Sequence, residues 1–120
     1  MSTINEILDR IGRTSPNAVG DDVLAGYLLA LDGRAYLEVT APHEPQRQPP
    51  MHWPREGDVP LLIPPPYHLV YDHYLTAMIA WHMRDFDTYN AAAALFRDAW
   101  DDWRAAYRRS HRPAPTEVML

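Results

Sequence analysis

The chain has no cysteine and no lysine, and only three serines and five glycines in 120 residues. Without cysteine there is no disulfide framework, zinc–thiolate site, iron–sulfur cluster or thiol nucleophile. Without lysine, all 11 basic residues are arginine, a side chain suited to bidentate and stacked contacts more than to diffuse charge. Ser2, Ser15 and Ser110 stand in no nucleophile context. The sequence also lacks a Gly-x-Ser-x-Gly elbow, a glycine-rich phosphate loop and a His-Glu-x-x-His metal motif. No apolar run approaches the roughly 20 residues that span a bilayer. The opening residues Met1 to Glu6 lack the basic region and apolar stretch expected of a signal peptide. The formal charge of −5 speaks against a general nucleic-acid coat.

What is present is an ordinary globular mix, 47% apolar and 22% charged, of a length that makes one domain. Proline divides it: nine of the 12 prolines lie between residues 42 and 66. The expected architecture is mainly α, a small bundle of about four helices with a long C-terminal helical hairpin. One helical domain would cover residues 1–113, with a proline-rich extended insertion at about 42–66 and a flexible tail over 114–120.

The first helix is expected over 3–11. Thr3 and Glu6 form the Thr-x-x-Glu pattern of a capping box. Ile4, Ile7, Leu8 and Ile11 share one face, and Gly12 with the Thr14-Ser15-Pro16 cluster ends the run. A second helix opens at Gly20-Asp21-Asp22 and runs to about residue 39, with Val23, Leu24, Tyr27, Leu28, Leu31 and Ala35 as its apolar face. Gly26 and Gly33 weaken it and point to close helix contact or a kink. Met51-His52-Trp53 and Val59-Pro60-Leu61-Leu62-Ile63 flank a turn and suit a small β-hairpin, which must pack on its own helices or on a neighbouring subunit because a lone hairpin is marginal in water. A third helix spans about 67–83. A fourth starts near Asp85, a suitable cap, and runs to about Ser110. Its Tyr89, Ala93, Phe96, Trp100, Trp103 and Tyr107 alternate spacings of four and three, the stripe of a helix with a long antiparallel partner.

Catalytic chemistry finds little purchase. His68 and His73 stand about 140° apart around a helix, and His73 and His82 about 13 Å apart along one, so neither pair makes a zinc site. Asp101-Asp102 reads as a solvated face. No catalytic residue, cofactor or metal is expected, and the chain is not expected to be an enzyme; a metal-dependent hydrolase on His68, His73 or His82 is the competing enzymatic reading. The aromatic load is more telling. Four Trp and seven Tyr exceed what so small a core holds with ease, and aromatics and arginine are the residues enriched at interface hot spots. Trp53, in the insertion, is one candidate. Arg104, Arg108, Arg109 and Arg112 form a basic patch at the end of the fourth helix, followed by an apolar terminus, Val118-Met119-Leu120. A nucleic-acid contact through that patch is a further alternative.

Several segments resemble one known family. They are Leu31-Asp32-Gly33-Arg34-Ala35-Tyr36; Leu61-Leu62-Ile63-Pro64-Pro65-Pro66-Tyr67 with Val70-Tyr71-Asp72-His73-Tyr74-Leu75-Thr76-Ala77-Met78-Ile79; Tyr89-Asn90-Ala91-Ala92-Ala93-Ala94-Leu95-Phe96; and Trp103-Arg104-Ala105-Ala106-Tyr107-Arg108-Arg109-Ser110-His111-Arg112-Pro113. Together they resemble the head–tail connector proteins, also called adaptors or head-completion proteins, of long-tailed bacteriophages and prophages. The likeness covers most of the chain in order, matches loosely over 42–53, and departs at Ala91, where members often carry a second Asn. It implies a virion structural protein at the neck, assembled in the bacterial cytoplasm. It implies a homo-oligomeric ring, typically a dodecamer, docked on the portal protein and bordering a stopper or tail-completion protein. DNA would pass through the lumen without sequence-specific binding, and no membrane is involved. Arg104, Arg108, Arg109, Arg112 and Val118-Met119-Leu120 would form the docking element. A stopper or tail-completion subunit of the same particle is the nearest alternative.

Overall fold

The computed structural model describes residues 2–14 and 17–111. Four α-helices build it: α1 Ile4–Thr14, α2 Asp21–Ala35, α3 Leu69–His82 and α4 Phe86–Ser110. A π-helical turn, Tyr36–Thr40, continues α2. The mainly α bundle with a long C-terminal helical hairpin is therefore the observed fold.

The helix ends follow the sequence chemistry. Thr3 Oγ1 accepts the Glu6 N–H at 3.2 Å, one half of the capping box. Asp85 caps α4, its carboxylate accepting the Thr88 N–H at 3.2 Å and the Thr88 O–H at 2.6 Å. These two bonds hold the Asp85 carboxyl below its usual range. α1 runs through Gly12 to Thr14 instead of stopping at residue 11. A single exposed glycine costs a helix only about 1 kcal/mol, and Asp9 pairs with Arg13 at 3.1 Å across the same turn.

The core collects Ile4, Ile7, Leu8 and Ile11 of α1, the α2 stripe from Leu24 to Ala35, Val70, Tyr71, Leu75 and Ile79 of α3, and Trp100, Trp103 and Tyr107 of α4. Each fully buried side chain of this size contributes about 1.5–3 kcal/mol. α3 and α4 pack antiparallel along the expected stripe, with Tyr74 against Phe96 at 5.1 Å and Trp81 against Tyr89 at 5.4 Å between ring centres. α2 also runs antiparallel to α3: Tyr27 Oη meets His82 Nε2 at 2.7 Å near one end, and Asp32 meets Tyr71 nearer the other. α1 is tied to α3 by a bidentate pair, with Arg10 donating to both Asp72 oxygens at 2.7 Å. That geometry raises the Arg10 pKa, chiefly through the Asp72 hydrogen bond.

The insertion is a belt around its own bundle. Its first part, 42–48, is mostly exposed, but Pro49, Pro50, Leu61, Leu62 and Ile63 are buried. The expected hairpin does not form: residues 52–58 make successive turns, and the one antiparallel bridge among the described residues joins Thr3 to Pro60. Strand pairing loses because the residues leading into α1 and its first turn supply the partners instead. Leu61 N–H donates to Ser2 O at 2.8 Å, and Asn5 N–H to Gly57 O at 3.0 Å. The close-contact reading of Gly26 and Gly33 is also overturned, since a Cβ at either would meet nothing within 4 Å.

Candidate interaction surfaces

The most buried polar cluster is a clamp on the belt. Asp32, fully buried, accepts the Leu62 N–H at 3.1 and 3.2 Å and the Tyr71 O–H at 2.6 Å. Tyr71 Oη in turn accepts the Ile63 N–H at 2.9 Å. Burial pushes the Asp32 carboxyl up to about 6, against the pull of the Tyr71 and Leu62 hydrogen bonds. Burial and the neighbouring Asp32 raise the Tyr71 phenol well above its ordinary value. The oxygens of this cluster are occupied by belt amides and by each other, so it is chemistry spent on holding 61–63 between α2 and α3.

A second cluster clasps the C-terminal end of α4 to the start of the belt. Tyr107 donates to Glu44 at 2.6 Å, and burial together with that bond raises its pKa. His111 stacks on Tyr107 at 3.9 Å and lies 3.6 Å from the Glu44 carboxylate; His43 packs edge-on to Tyr107 at 5.8 Å. A cleft of about 270 Å³ opens beside them, walled by Tyr67, Trp103, Tyr107 and Arg47.

Of the residues singled out by sequence, Arg104 is half-buried and bridged to Asp101 at 3.1 Å, which neutralises it locally. Arg108 and Arg109 are exposed in the last turn of α4, with no ion pair among the described residues. Arg112, Val118, Met119 and Leu120 lie outside the described residues, as does the expected 114–120 tail. Trp53 is not brought to the arginines. Half-buried, it packs on the core and donates its indole N–H to Asn5 Oδ1 at 3.1 Å, which makes it a structural pin between belt and α1. His82 is engaged with Tyr27, and His68 stands just before α3 with no side-chain hydrogen bond to its first turn. Among the described residues no three His, Cys, Asp or Glu side chains converge as a metal site.

Two apolar features stand out on the surface of the described residues. The first is the tip of the α3–α4 hairpin, where Trp81, Met83 and Phe86 are 53%, 65% and 52% exposed. Trp81 sits edge-on to Phe86 at 5.7 Å, so the rings stiffen each other into a knob. Arg84, at φ 57°, turns the chain tightly between the helices. The second is a groove of about 470 Å³ between α2, the π-helical turn and the belt, lined by Leu29, Ala30, Gly33, Leu37, Pro50 and Met51. Leu37 and Met51, at 73% and 67% exposed, form its rim. Sequence reasoning missed this groove. Part of the signal was there: Ala30 of α2 and Leu37 of the π-helical turn are exposed apolar residues, whereas Leu29 is half-buried against the core.

No described helix is long and apolar enough to cross a membrane. Comparison of the chain with protein-family models, with curated proteins and with solved structures returns no match.

Proposed function

We propose that the chain is a head–tail connector subunit of a long-tailed phage or prophage, a non-enzymatic virion protein that forms a ring on the portal and leaves a lumen for DNA. The observation that carries this reading is the division of the aromatic side chains. Trp100, Trp103 and Tyr107 close a core, whereas Trp81 and Phe86 stay exposed beside Met83 at a hairpin tip. A clustered apolar surface of that kind marks an assembly contact more often than a solvated face. The family likeness of the Leu61–Tyr67, Val70–Ile79 and Trp103–Pro113 segments supplies the identity of the assembly. The exposed Arg108 and Arg109 suit a docking element.

The test is quantitative mass spectrometry on purified particles produced from the source genome. The ratio of this chain to the portal protein should be near one. Its absence from mature particles would overturn the reading. Truncation after Pro113 should abolish portal binding while leaving the helical circular-dichroism signal intact, and retained binding would remove the tail from the docking element.

A further inference from the structure

We propose that the cleft between α3 and α4 is a binding site for a small planar organic anion, an aromatic ring that carries a carboxylate or phosphate group. The site lies apart from the belt and the C-terminal arginines, and it goes beyond the ring reading above without depending on it.

The cleft follows from the sequence of the two helices. Ring pairs hold α3 and α4 apart at two levels: Tyr74 meets Phe96 at 5.1 Å and Trp81 meets Tyr89 at 5.4 Å between centres. Between these levels α3 offers Ala77 and α4 offers Ala93, whose methyl groups are too small to fill the gap. A space of about 270 Å³ results, walled by Tyr74, Met78, Tyr89 and Phe96, with the exposed Asn90 and Arg97 on its α4 side. Pockets for drug-sized molecules begin at about 300 Å³, so this one suits a single ring system with a short arm.

The polar groups of the cleft are unspent. The Tyr74 and Tyr89 hydroxyls, the Asn90 amide and the Arg97 guanidinium all line it, and none has a hydrogen bond or ion pair among the described residues. The cleft beside Tyr107 differs: its phenol is committed to Glu44, and that carboxylate stands in the wall. No carboxylate lines the α3–α4 cleft. Asp101, one turn beyond Arg97, is taken by Arg104 at 3.1 Å, and Asp98 leaves the helix about 100° around from Arg97. The charge offered to a ligand is therefore positive, although the chain as a whole carries −5.

Each group suits one part of such a ligand. Arg97 presents a planar fork of donors that matches a carboxylate or phosphate in two parallel bonds. Tyr74 and Phe96 offer ring surface for edge or offset contact with an aromatic guest. The Asn90 amide can donate or accept at a ring substituent. Burial, helped by the nearby phenols of Tyr27 and Tyr89, raises the Tyr74 pKa, so its hydroxyl stays a donor at neutral pH. A cationic guest would face Arg97 with no carboxylate to pair with, and an uncharged ring would leave the guanidinium unused.

Arg97 and Asn90 are exposed, so both can be changed without disturbing the core. The full-length, isotope-labelled chain is titrated with benzoate and with phenyl phosphate, and the side-chain N–H signals of Asn90 and Arg97 are followed by NMR. Benzyl alcohol supplies the ring without the charge, acetate and inorganic phosphate the charge without the ring, and benzylamine the opposite charge. At least one aromatic anion should give saturable shifts at both side chains, with an affinity at least about tenfold above every control. Whichever of the two binds more tightly identifies the anionic group. Arg97→Gln should weaken binding about tenfold, the worth of one charge-assisted hydrogen bond, and Asn90→Ala by less, with melting midpoints unchanged. No saturable shift at Asn90 and Arg97 would overturn the proposal, as would benzyl alcohol or benzylamine binding equally well. Binding that survives Arg97→Gln intact, or shifts centred on Arg108 and Arg109, would overturn it too, by showing only a general attraction of anions to exposed arginine.

Discussion

The two ends of the α3–α4 hairpin are built from the same residue types and fare differently. At the base, Trp100 and Trp103 stack edge-on at 5.4 Å, Trp103 and Tyr107 follow at 5.9 Å, and all three are buried. Arg34 lies over the Trp100 ring at 4.9 Å, and the belt closes the end through Glu44. At the tip, Trp81, Phe86 and Tyr89 pack on one another with the same spacings, yet no described segment of the chain covers Trp81 or Phe86. The difference lies in what the rest of the chain supplies. The base has α2, the π-helical turn and the belt around it; the tip has only the first half of α2. Aromatic pairing is local, and burial is decided by what comes from far along the sequence.

The largest expected effect tests the buried end. Trp103→Ala should cost about 3–5 kcal/mol in urea-induced unfolding, the usual penalty for emptying a buried aromatic site. Trp81→Ala should cost under about 1 kcal/mol, because an exposed side chain has little burial to lose. Equal penalties would erase the distinction between the two ends.

Next comes the clamp that seats the belt over the base. Tyr71→Phe removes the donor to Asp32 and leaves the buried Ile63 N–H without an acceptor, so it should cost about 2–3 kcal/mol. Asp32 also gives a pH signature. Its folded pKa, raised to about 6, exceeds the unfolded value near 3.9, so between those values the folded chain binds more protons than the unfolded one. The Asp32 contribution therefore favours folding more as pH falls from about 6 to 4, by up to about 2–3 kcal/mol, and is least favourable above pH 6. The unfolding free energy of the wild type relative to Asp32→Asn, measured across that window, should show this slope. A flat difference would mean that Asp32 titrates normally.

Smaller effects sharpen the same contrast. Tyr107→Phe breaks the bond to Glu44 at the base and should cost about 1 kcal/mol by thermal denaturation. Arg84→Gly at the tip relieves a left-handed residue and should be neutral or stabilising by up to about 1 kcal/mol.

These pairs also show where sequence reading succeeds. The α4 stripe from Tyr89 to Tyr107, the Asp85 cap and the Thr3 bond to Glu6 all depend on residues three or four apart, and spacing reveals them. The Arg10–Asp72 pair joins residues 62 apart, and the Asp32–Tyr71–Leu62 clamp spans 39, so no local pattern announces either. The hairpin expected within the belt fails for the same reason. Proline and turn residues showed that 42–66 is not helical, but the buried acceptor that holds 61–63 sits on another helix. Of the proposed contact surface, the sequence carried the aromatic excess and the basic end of α4. It did not show that Trp53 packs on the core while Trp81 and Phe86 stay half-exposed, because that split depends on which segments return to cover them. Arg112 and Val118-Met119-Leu120 lie outside the described residues and keep only the reading their sequence supports.

If the tip aromatics serve assembly and not folding, removing Trp81 changes association and leaves stability alone. Sedimentation velocity of wild type and Trp81→Ser across a wide concentration range, with melting curves on the same samples, tests it most directly. The predicted result is a wild type whose sedimentation coefficient grows with concentration and a Trp81→Ser chain that stays monomeric with an unchanged midpoint. Two chains that sediment alike at every concentration, or a variant that loses its fold, would contradict it.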